Sequence, residues 1–156
     1  MKKTSILAGA IAAIVLAAGA AVPAQAFSGS RTVTLPGTSI KLQANAWSPN
    51  ILSGGRIDFA TSSKTTLNGK SKNVEQIRNT ATIEARGINP SVSLPKGVGG
   101  SGTASSKSIA WTNKNSWISD LSGTASYSGL TISVHVNSSA FALHQGVKKY
   151  VDVWSW

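Results

Sequence analysis

Two histidines and five carboxylates, with no cysteine, are this chain's whole supply of the side chains that most often move protons or hold metals. If Ser139-Ala140 were the tip of a two-residue hairpin, His135 would face His144, with Val136 opposite Leu143 on the buried side. Ser-Ala, however, is a poor choice for the turns such hairpins prefer. Two imidazoles also leave a zinc site short of its usual three or four ligands. His135 and His144 are therefore expected to remain a surface pair without metal, and no cofactor is implied.

Asp58, Glu75, Glu84, Asp120 and Asp152 lie in unrelated contexts, whereas glycoside hydrolysis needs two carboxylates facing one cleft. Neither G-x-S-x-G nor H-E-x-x-H occurs. A serine triad needs no fixed spacing, so a small secreted hydrolase with an unrecognised site stands as an alternative. The expectation is a protein that is not an enzyme.

Groups suited to binding are more plentiful. The closing stretch "KKYVDVWSW" alternates, so that Val151 and Val153 share one face of a strand and Tyr150, Trp154 and Trp156 the other. Lys148 and Asp152 fall on the aromatic face, and Lys149 is next to them in sequence. Tyrosine and tryptophan are enriched where a surface meets a partner. The alternative is that they cap a core. The closing strand of an outer-membrane barrel fits poorly, because Lys148 and Asp152 would meet lipid. Lys64, Lys70 and Lys72, with Arg78 nearby, form a second basic group. It reads either as an anion-contacting patch or as an ordinary solvated edge.

The elements that must carry these residues follow from hydrophobic periodicity. Residues 1–26 are set aside as a secretory signal peptide: Lys2 and Lys3 precede an apolar run from Ile6 to Ala21, and Ala24-Gln25-Ala26 is a cleavage site. Such a leader, short and opening on Lys-Lys, implies a bacterial exported protein. No transmembrane segment is expected after cleavage. Removal of Lys2 and Lys3 leaves thirteen basic residues against five acidic ones, a net charge of +8. That surplus draws anionic partners at low salt. An exported protein rarely meets nucleic acid, so an anionic cell-wall polymer, an acidic polysaccharide or an anionic lipid surface is expected instead.

Residues 27–156 suit a single domain with a core that needs no disulfide. "LPGTS" reads as a turn, with Pro36 fixing φ and Gly37 accepting φ > 0. Ile40, Leu42, Ala44 and Ala46 form one inward set, and Ile57 with Phe59 another. "KTTLNGKSKN" reads as a polar loop with Asn68-Gly69 as its turn. Gln76–Gly87 alternates with Ile77, Ala81, Ile83 and Ala85 inward. The Gly/Ser-rich stretch at about 97–106 reads as a flexible loop. Asn113-Lys114-Asn115 is expected to be a hairpin tip that brings Trp111 near Trp117. Leu130, Ile132, Val134 and Val136 form a last inward row.

Strand patterns throughout, without a convincing helix, imply an all-β protein. The expected form is an antiparallel β-sandwich, or partly closed barrel, of about eight to ten short strands. The expected function is binding of an anionic or amphiphilic extracellular or cell-envelope partner. A bacteriocin-like antimicrobial is one version of this reading, and a self-assembling surface protein is another alternative.

Overall fold

The computed structural model describes residues 26–49, 52, 54–94 and 104–155. Residues 1–25 of the segment read as a signal peptide, most of the Gly/Ser-rich stretch and Trp156 lie outside the described residues.

Among the described residues eight strands form one antiparallel sheet, in agreement with the all-β expectation: β1 (Ala26–Thr34), β2 (Ile40–Pro49), β3 (Arg56–Leu67), β4 (Lys70–Ser71), β5 (Val74–Ser93), β6 (Ser106–Ser116), β7 (Ile118–His144) and β8 (Val147–Trp154). Hydrogen bonding runs in the order β1-β2-β3-β7-β5-β6, with β4 on β3 and β8 on β7, and the sheet does not close into a barrel. The strands are not all short. β5 has 20 residues and β7 has 27, beyond the usual length of about ten or fewer.

The length of β7 lets one sheet form two layers. Its first part, Ile118–Ser126, pairs with β3. From Ser126 onward it pairs with β5, and Asn137–His144 also pairs with β8. Side chains of the β2–β3 half therefore meet those of the β5–β7–β8 half. Leu42 and Ala44 pack with Ile77, Ala140 and Val151 in one apolar cluster. Ile57 and Phe59 pack with Ile83, Val134 and Val136 in another.

A polar belt separates the two clusters. Asn79, on the inward face of β5 between Ile77 and Ala81, is fully buried. Its amide donates to Thr61 Oγ1 (2.7 Å), and its carbonyl accepts from Ser138 (2.9 Å) and Ser63 (3.3 Å). Buried amides and hydroxyls are tolerated only when bonded in this way.

Local signals explain the turns. Thr38 N–H donates to Leu35 O (3.1 Å), with Gly37 at φ 68°, as the Pro-Gly turn requires. Asn68 and Gly69, at φ 51° and 78°, close the tight β3–β4 hairpin. Lys64–Leu67, expected in a loop, instead continue β3. Their alternation was masked because Thr65 is a polar side chain on the buried face.

Three further readings are corrected. The strand β7 runs straight through Ser139-Ala140, and the turn falls at Gln145-Gly146. Asn113–Asn115 lie inside β6, and the chain changes layer at Trp117. There the Trp117 carbonyl accepts from Thr65 N–H (2.8 Å). Leu130 and Ile132 are not in the core; they are 65% and 75% exposed. Ile132 is the extra residue between the pairs Arg86↔Ser133 and Gly87↔Thr131. Such a bulge reverses the alternation, so even-numbered residues face inward after it and outward before it.

Candidate functional site: a cationic aromatic face

The outer face of the β6-β5-β7-β8 layer is built from cross-strand rows. Register places Thr112, Arg78, Phe141 and Tyr150 in one row and Lys114, Gln76, Leu143 and Lys148 in the next. Paired residues in a sheet share a face, so seven of these eight side chains follow from alternation once Arg78 is set on the outside. The guanidinium of Arg78 lies 5.2 Å from the centroid of the Phe141 ring, a cation–π distance. Phe141 in turn packs on Tyr150, with ring centroids 4.8 Å apart and planes tilted by 43°.

Phe141 points away from the core yet is only 7% exposed, because Arg78 and Tyr150 cover it. Tyr150 is 54% exposed and forms the open end of the stack. Lys114 and Lys148 are exposed, and among the described residues neither has an ion-pair partner. Three cations thus surround an aromatic pair, while the acidic neighbour on β8, Asp152, is one row further on. Such a surface offers a flat apolar contact with positive charge at its margin.

The two faces of the last strand now have an explanation. Val151 is buried and Val153 packs at the edge of the core, while Tyr150, Asp152 and Trp154 belong to the outer face. Trp154 is half-buried beside Asn137. The chain end is held at Ser155, whose hydroxyl accepts from Val136 N–H (3.1 Å) and meets Ser48 Oγ (2.8 Å). The chain matches no family model, no curated protein and no solved structure.

The structure divides the sequence-derived binding residues into separate groups. Lys148, Tyr150 and Trp154 share the outer face, whereas Lys149 pairs with Ala142 on the core side of β8 and is half-buried. Lys64, Lys70 and Lys72 belong to the β3–β4 region of the other half of the sheet. Arg78, Phe141 and Lys114 were not expected at this site. Alternation along β5 could have marked Arg78, but its partners come from strands whose register the sequence does not show.

His135 and His144 are not brought together. They stand nine residues apart on one strand, roughly 30 Å at about 3.4 Å per residue, and an odd separation puts them on opposite faces. His135 instead pairs with Glu84, and its Nε2 meets Ser133 Oγ at 3.0 Å. Among the described residues no three His, Asp or Glu side chains gather where a metal ion could sit.

Proposed function

We propose that this chain is an exported, non-enzymatic binding domain whose partner is an anionic or amphiphilic polymer or lipid surface of the cell envelope. The observation that carries the reading is the Arg78–Phe141–Tyr150 stack with Lys114 and Lys148 in the adjoining row. Aromatic rings supply contact area at low conformational cost, and lysines around them attract an anionic surface. The net positive charge of the chain adds long-range attraction that salt weakens. Attack on an envelope, in the manner of a bacteriocin, is one consequence such binding could have.

The test is sedimentation with anionic phospholipid vesicles and with purified wall polymer. Retention at low salt is expected, with release as salt rises. Lys114→Gln with Lys148→Gln should weaken binding by about 30-fold, since each lysine near an anionic surface contributes roughly a factor of five. Lys70→Gln with Lys72→Gln removes the same net charge from the other half of the sheet and should cost much less. Equal losses from the two pairs would reduce the effect to net charge and remove the face from the proposal.

Self-assembly is the second reading. What favours it is the exposed apolar group Ile88, Leu130 and Ile132, with Ile88 directly opposite Leu130. Sedimentation velocity separates the two: envelope binding predicts a monomer at every concentration, self-assembly growing species.

A further inference from the structure

We infer that the outer face of the β1-β2-β3-β7 layer holds a second binding site, for the neutral, hydroxyl-rich pyranose rings of a polysaccharide. It lies on a different layer from the cationic aromatic face and does not depend on that reading.

The site is an open trough of about 690 Å³ across four strands, within the usual size range of ligand pockets. Register gives its layout. Ser28, Trp47, Ala60 and Ser122 form one row, and Ser30, Asn45, Ser62 and Asp120 the next. Lys64 and Ile118 close it on the far side. Trp47 is 39% exposed. Its neighbours across the ladder, Ser28 and Ala60, are too short to cover the indole. Part of the ring therefore remains open to the trough, suited to the C–H face of a sugar ring.

The polar row beside it is pre-ordered. Gln43 Nε2 donates to Ser30 Oγ (2.8 Å), Ser30 donates to Asn45 Oδ1 (2.9 Å), and Asn45 Nδ2 donates to Ser62 Oγ (3.1 Å). All donation runs one way, so the Ser62 hydroxyl ends the chain with its own proton unused among the described residues. Asp120 is next to Ser62 and Lys64 is one row on. Neither side chain has a hydrogen-bond or ion-pair partner among the described residues.

Charge decides the ligand class. Asp120 opposes an anion and Lys64 opposes a cation, so neither kind of ion is favoured. A neutral hydroxyl both donates and accepts, and can satisfy the carboxylate and the ammonium together. Several hydroxyls on a ring with one apolar face match the trough.

The test is NMR titration of the purified protein with two neutral oligosaccharides, a β-linked glucose hexamer and an N-acetylglucosamine hexamer. Saturable shifts of the Trp47 indole and of the Asn45 and Ser62 amides are expected with at least one of them, at affinities near about 1 mM or tighter. High salt should leave these shifts in place, which separates this site from the cationic face. Trp47→Ala should weaken binding by about tenfold or more, as loss of one stacking ring does. Asp120→Asn, an exposed change, should weaken it while the rest of the spectrum stays native; this variant decides the matter if Trp47→Ala does not fold. No shift at Trp47, Asn45 or Ser62 with either sugar at about 10 mM, or shifts confined to the Tyr150 face, would overturn the inference.

Discussion

Asn79→Ala is expected to destabilise the folded protein by about 3 kcal/mol, a drop in thermal midpoint of roughly 10 °C for a domain of this size. Three buried hydrogen bonds end on this one side chain. Each has a net worth of about 1 kcal/mol, and hydroxyls left without partners in the interior cost more. Three factors limit the loss, because each hydroxyl also lies near a backbone carbonyl. Ser63 has Arg78 O at 3.0 Å, Ser138 has Ser62 O at 3.4 Å, and Thr61 has Leu121 O at 3.5 Å. The first is a good bond and the other two are long. Urea unfolding with an unchanged slope is the measurement, since a changed slope would mean a changed unfolded state. A loss below about 1 kcal/mol would show that the carbonyls suffice and that the belt is not organised by Asn79.

That belt also shows why the sequence revealed the fold class more fully than the site. Alternation was legible wherever the buried face was apolar, as at Ile40–Ala46 and Ile77–Ala85. It became silent where the buried face was polar, as at Thr61, Ser63 and Thr65. Past Ser63 the inward hydroxyl of Thr65 looked like part of a loop, and the last four residues of β3, Lys64–Leu67, were read as one. The same effect hid Asn79, which follows the alternation of Ile77 and Ala81 but not their chemistry.

The site failed to appear for a different reason. Arg78, Phe141 and Tyr150 are separated by 63 and 9 positions in the chain, and only long-range register makes them one row. Register is set by turns, bulges and packing together, and the sequence misplaced one turn and left another open. The hairpin considered at Ser139-Ala140 would set His135 against His144 and split β7, the strand on which both layers depend. The tip expected at Asn113–Asn115 likewise hid Lys114 from its place beside Gln76. Trp47 was legible as an outward residue of its strand, but the short neighbours that leave its indole open come from β1 and β3.

The bend that brings the two layers together gives the largest expected effect. Gly129→Ala should cost about 4 kcal/mol, combining roughly 1–2 kcal/mol for a left-handed backbone with a steric conflict that the backbone must move to relieve. Gly129 has φ 81°, and a Cβ there would run into the Asn89 carbonyl. Gly87 meets the same restriction from the other strand, where a Cβ would strike Leu130 O. Gly87 follows the first register shift of the β5–β7 ladder and Gly129 lies within the second, a few residues beyond Ser126, where β7 exchanges β3 for β5 as its partner. Gly69→Ala supplies the comparison, because Gly69 has a similar φ of 78° but open space around it. It should cost about 1 kcal/mol, the backbone term alone. The difference between the two midpoints in urea then measures the close packing of the corner, free of the conformational preference both share. Equal losses would mean that the ladder spreads to admit a methyl group at no cost. In that case the bulges, and not the glycine contacts, would be what turns β7 from one layer to the other.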